Sequence, residues 1–126
     1  MTVEPFDFES HYMILYEWWI GHGWPPVPVE ALPFTGFVVK DVCAGFMYKT
    51  DSSIAFMEFI VSNPQANPMA VGRGIKMIVE AIQKEASSRG FTSLLTFINK
   101  KSLGKMYERS GFKKTDEHMT HYVWRV

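Results

Sequence analysis

The sequence carries no net charge, because thirteen Lys and Arg stand against thirteen Asp and Glu. That balance argues against electrostatically driven binding of nucleic acid or an anionic membrane, while leaving room for a small basic pocket. Only one cysteine is present, Cys43, which excludes an intramolecular disulfide and fits a reducing compartment. No uncharged apolar run is long enough to span a bilayer, and the opening MTVEPFDFES lacks a basic n-region. The expected setting is the cytoplasm. No Cys/His cluster has metal-ligand spacing, so no metal is expected. Neither a Ser-His-Asp nor a Cys-His arrangement finds local support, and there are no repeats, low-complexity tracts or linkers.

What is present reads as one domain over residues 1–126, with 47% hydrophobic and 15% aromatic residues. Asp7 to Ile20 predicts a helix, capped by Asp7 or Ser10, with Phe8, Tyr12, Leu15 and Trp19 on one face and Gly21 or Gly23 to end it. The four prolines of GHGWPPVPVEALP then prevent a long helix or central strand and predict a stiff loop with a single turn at Val29 to Leu32. Three strands follow, Thr35–Lys40, Val42–Thr50 and Ser53–Ser62, joined by breaks short enough for antiparallel hairpins. The third is apolar on both faces apart from Glu58, which predicts a central position.

A helix from about Val71 carries Ile75, Ile78, Val79, Ile82 and Ala86 as one stripe, with Glu80 and Lys84 spaced for an ion pair and Gly90 placed as its cap. Beyond it come a strand at Ser93–Ile98, a short helix from Ser102 to about Ser110, and two last strands in FKKT and MTHYVWRV. The order is thus β, α, three antiparallel strands, a long α, β, a short α and a closing β pair, with no residues assigned to the first strand. Hairpins mixed with helix-strand alternation imply a mixed sheet covered by helices.

The stretch NPMAVGRGIKMIVEAI sets two glycines one residue apart at the head of the long helix. Such a pair can offer free amides and the positive end of a helix dipole to a phosphate, with Arg73 adding charge, or it can simply let the chain turn. Two nucleotide readings fail. The dinucleotide fingerprint needs a third glycine where Met77 stands, and no Walker A motif is present.

Gly72-Arg73-Gly74, followed after the next strand by Tyr107-Glu108-Arg109-Ser110-Gly111-Phe112, resembles the Gcn5-related N-acetyltransferase (GNAT) superfamily. There a strand, a [QR]-x-x-G-x-[GA] turn and a long helix precede a strand and N-x-x-A-x-x-L-Y-x-x-x-G-F. The resemblance covers roughly Phe56 to Phe112. It departs from the pattern at Met69, where Gln or Arg is usual, and at Lys100, where Asn is usual; Asn99 is one step off. In its compactness the chain is similar to small acetyltransferase-like proteins of phages and prophages.

The resemblance implies an α/β (α+β) fold with a GNAT-like mixed, mostly antiparallel sheet, splayed at its centre and flanked by helices. It implies an acetyl-CoA-dependent N-acetyltransferase in which a primary amine attacks the thioester directly, with acetyl-CoA as co-substrate and no metal. Pyrophosphate would sit on Gly72, Arg73 and Gly74, with Asn99 or Lys100 near the phosphates, and pantetheine would pair with the backbone of Phe59, Ile60 and Val61. Tyr107 is the candidate general acid. Glu58 is the candidate base, since a carboxylate in an apolar strand has a raised pKa. Trp18 and Trp24 would form an aromatic wall for the acceptor, joined by His22 and, from the closing strands, His121, with His118 on the same strands. The partner implied is an amine, small or protein-borne, and exposed aromatics make a homodimer an expectation. Met69 and Lys100 motivate the alternative, a GNAT-fold module that binds or inhibits without catalysis.

Overall fold

The computed structural model describes residues 1–126. Its elements are β1 (Val3–Pro5), α1 (Phe8–Gly21), a single 3-10 turn at Val29–Ala31, β2 (Gly36–Val39), β3 (Cys43–Lys49), β4 (Ile54–Ser62), α2 (Pro68–Ser88), β5 (Ser93–Leu95) and α3 (Lys101–Arg109). The strands form one sheet in the order β1-β2-β3-β4-β5, antiparallel throughout except for the parallel β4–β5 pair. The parallel pair follows from the crossover through α2, which is long enough to return the chain to the same end of the sheet.

Side-chain alternation in β3 and β4 divides the core in two. Cys43, Met47, Ala55 and Met57 face α2, whose buried stripe is the predicted Ile75, Ile78, Val79, Ile82 and Ala86, and Tyr107 of α3 joins them. Val38, Ala44, Phe46 and Val61 face the other way, onto Tyr12, Leu15, Trp18 and Trp19 of α1. α1 begins as its sequence indicates: Asp7 accepts a hydrogen bond from the Ser10 amide at 2.9 Å.

Five expectations are corrected. α2 starts at Pro68, not Val71, because Asn67 caps it through the Met69 amide at 2.8 Å and Pro68 has its φ preset for the first turn. Glu80 pairs with Lys76 one turn back, at 3.9 Å, instead of with Lys84. β5 stops at Leu95 rather than Ile98, and α3 is capped at Lys100 rather than Ser102. The closing β pair is not formed: every residue from Lys113 to Val126 is exposed and without regular structure. Alternating apolar residues make a strand only where an edge receives them, and both edges of this sheet, β1 and β5, are three residues long.

Candidate functional site

β4 is interrupted at Phe59. Glu58 lies opposite Phe46 and Val61 opposite Ala44, so Gly45 alone faces both Phe59 and Ile60, a β-bulge. Phe59 takes φ +56°, a strained conformation for a bulky residue. The extra residue reverses the alternation. Before it Met57 faces α2; after it Ile60 packs toward α2, and Val61 faces α1. Gly45 makes room, because a Cβ there would stand 2.4 Å from Ile60.

On its other side β4 is paired with β5 only from Ile54 to Phe56. Beyond Phe56 the two strands part. The last tie is a side chain: the Thr96 hydroxyl donates to the Met57 carbonyl at 2.7 Å, in place of the next rung of the ladder. From Glu58 to Val61, the backbone groups of β4 that point away from β3 have no strand partner, which leaves a cleft with one edge ready to pair with an extended ligand.

Glu58 and Tyr107 flank this cleft. Oε1 of Glu58 is buried without a hydrogen-bond partner. Burial raises the carboxyl above its ordinary range, opposed by a hydrogen bond from the Phe97 amide. Tyr107 is 4% exposed and packs its ring on Phe112 at a centroid distance of 5.4 Å. Burial raises its phenol, the Glu58 charge raises it further, and a hydrogen bond with the Thr96 side chain opposes both. The two residues therefore feel each other through the gap between the strands, a buried phenol held protonated near a buried carboxyl. Cys43 takes no part: it is fully buried and its thiol is pushed up to about 12 by burial.

The head of α2 lies just past the end of β4. Pro68 has no amide proton, the Met69 amide is held by Asn67, and the Val71 amide bonds the Asn67 carbonyl at 3.0 Å, so Ala70 carries the remaining donor of the first turn. Gly72 and Gly74 stand inside the helix, where each amide turns back along the axis. The pair is no turn, and its two members differ. A Cβ on Gly74 would stand 2.7 Å from Val42 and 2.8 Å from the Cys43 sulfur, so this glycine lets helix and sheet approach. Gly72 faces open space, and with Lys76, Met106, Arg109 and Ser110 it lines a cavity of about 250 Å³ between α2 and α3. Lys76 and Arg109 make this cavity cationic.

The remaining candidates separate. His22 donates Nε2–H to the Ser62 carbonyl at 2.9 Å and stacks on Trp24 at 4.3 Å, so these two sit together beside the far end of β4. Trp18 is 6% exposed and belongs to the α1 core, which removes it from any acceptor wall. His121 and His118 lie in the exposed tail, outside any strand, because the strands expected to carry them do not form. Asn99 and Lys100 are exposed ahead of α3, outside the lining of the cationic cavity. Sequence reading missed Thr96, Lys76 and Arg109. For Lys76 the helical spacing held a signal, since it shares a face with Gly72 four residues before it.

The architecture so assembled is an α/β domain whose mixed sheet parts between β4 and the short edge strand β5 that follows the α2 crossover. Among solved structures it is similar to glucosamine-6-phosphate N-acetyltransferase from Arabidopsis thaliana (TM-score 0.70, 14% identity, 96% of this chain and 97% of that one). It is equally similar to AAC(6')-Iy in complex with the bisubstrate analogue CoA-S-monomethyl-acetylneamine (TM-score 0.69, 18% identity, 99% and 98% of the two chains). An acetyltransferase from Trypanosoma brucei matches with a TM-score of 0.67 at 15% identity, over 97% of this chain and 99% of that one. The fold is that of the GNAT acetyltransferases. No family model matches the chain, and no curated protein matches its sequence.

Proposed function

We propose that the protein is an acetyl-CoA-dependent N-acetyltransferase acting on a primary amine. The observation that carries this reading is the parting of β4 and β5 beyond Phe56, with a bulge at Phe59 and with Glu58 and Tyr107 on either side of the gap. Acetyl-CoA has an extended amide-bearing arm, and the unpaired backbone of Phe59, Ile60 and Val61 offers it a strand to pair with. Its nucleotide phosphates lie against the head of α2, where the Ala70 amide, the bare surface of Gly72 and the side chains of Arg73, Lys76 and Arg109 supply donors and positive charge. Asn99 and Lys100 remain candidates for the outer phosphates from the start of α3.

In the reaction the amine nitrogen forms a bond to the thioester carbonyl carbon, and the carbon–sulfur bond breaks. The acceptor arrives as an ammonium and gives one proton to the Glu58 carboxylate before attack; as the intermediate collapses Tyr107 protonates the departing thiolate, and the second proton lost from nitrogen restores the phenol. The raised carboxyl suits the first transfer, because a base closer to neutrality holds its proton more readily during the attack. Thr96 fixes the point where the strands part and hydrogen-bonds the phenol, so it positions Tyr107 without touching the reacting atoms. His22 and Trp24, stacked beyond Ser62, border the cleft at its far end. The expected site of action is the cytoplasm, and α1 leaves Met13, Ile14 and Ile20 exposed as a surface for a second copy.

The test is thiol release from acetyl-CoA in the presence of primary amines, followed against pH. The rate of the wild-type protein should rise as pH climbs through the raised Glu58 value. In Glu58→Gln that limb should disappear along with most of the rate; an unchanged profile removes Glu58 as the base.

A further inference from the structure

The face of the sheet around Glu58, turned away from α2, is aromatic. Phe56 and Glu58, two residues apart on β4, both point away from α2, and their cross-strand neighbours on that face are Tyr48 and Phe46. Phe97 stacks on Phe56 at 6.2 Å with the rings 22° apart, and Phe59 leans on Tyr48 at 6.1 Å. The Tyr48 hydroxyl is tied to the Ala31 carbonyl, so this ring is held in place by the proline loop. Phe97 is 60% exposed and Phe59 39%, large apolar surfaces with nothing over them. Glu58, in the middle, has a buried oxygen with no hydrogen bond and no cation within ion-pair distance.

We propose that this ring is the acceptor pocket and that it selects a single ammonium borne on an apolar body, best an aromatic one. The inference rests on the acetyl-transfer reading above. One ammonium satisfies the one orphan oxygen, and aromatic faces around it attract the same cation. The body of the acceptor then lies on Phe56, Phe59 and Phe97, where an aromatic surface stacks and a polar one leaves its hydroxyls unpaired. A polyamine needs further carboxylates for its further charges, and a phosphorylated amino sugar needs a cation; the residues of the ring supply neither. The site thus discriminates as much by what it withholds as by what it offers.

The experiment compares 2-phenylethylamine, ethylamine, spermidine and glucosamine 6-phosphate as acceptors, by thiol release from acetyl-CoA. The expected kcat/KM for 2-phenylethylamine is about ten-fold or more above each of the others. In Phe97→Ala its advantage over ethylamine should collapse, mainly through a raised KM for 2-phenylethylamine. Equal rates for all four amines, or a preference for spermidine or the sugar phosphate, overturn the inference and leave acetyl transfer standing. Where no amine releases thiol, direct calorimetric titration of 2-phenylethylamine decides, with and without acetyl-CoA. Binding that disappears in Glu58→Gln upholds the pocket even as the acetyl-transfer reading falls, and no binding overturns it.

Discussion

In the proposed reaction, Glu58 is where function and stability pull in opposite directions. Its carboxyl lies above its unfolded value because burial disfavours the charged form. A group raised in this way supports the fold while protonated, at pH below the ordinary carboxylate range, and that support is lost as pH rises through the raised value. Above the ordinary carboxylate range the buried Glu58 carboxyl therefore weakens the protein. Glu58→Gln should melt higher than wild type at pH 7 and lose that advantage in acid, while its acetyl transfer is lost; thermal scans at the two pH values check this. Tyr107 behaves differently, since its neutral phenol is at home in the core. Tyr107→Phe should keep the fold and lose roughly 100-fold in kcat, and unchanged turnover removes Tyr107 as the acid. Both residues were legible in the sequence, Glu58 as a lone charge in an apolar strand and Tyr107 through its motif. Thr96 and the aromatic ring were not, because a threonine after a strand and phenylalanines in one carry no mark of which neighbours tertiary packing will bring.

Among the elements, α2 shows how two identical residues in one motif divide their roles. Gly74 is under the sheet, and a methyl group there runs into Val42 and Cys43. Gly74→Ala should cost about 1–3 kcal/mol through overpacking. Gly72 is in open space within a helix, so Gly72→Ala should stabilise by up to about 1 kcal/mol through the ordinary advantage of alanine over glycine. Denaturant unfolding of the two variants separates them by sign. The sequence placed the glycine pair at a helix head but put the start at Val71, where the apolar stripe begins. The stronger signal was Asn67-Pro68, a cap followed by a residue preset for the first turn. β4 had the reverse history: its length was plain from composition, and its bulge was invisible, since nothing about phenylalanine announces a positive φ.

At the scale of the molecule, the sheet order and the two-sided core follow from hairpins and one crossover, which is why so much of the fold could be read from the chain. The closing strands could not be, because period-two alternation in MTHYVWRV describes what a strand would bury and not whether an edge is present to pair with it. A chain ending after Phe112 should accordingly melt within about 2 °C of the full-length protein, since the residues removed are all exposed; a large fall in Tm would mean that the tail supports the sheet.

The central claim, that a parted sheet and the head of α2 together hold a CoA thioester, is tested most directly by calorimetric titration of acetyl-CoA into the wild-type protein and into Gly72→Glu. Position 72 faces open space, so the added carboxylate should leave the fold intact while placing negative charge against the cationic cavity. The account predicts micromolar binding to the wild type and at least a ten-fold loss in the variant. Absence of binding to the wild type at millimolar acetyl-CoA, or equal binding to both proteins, would contradict it.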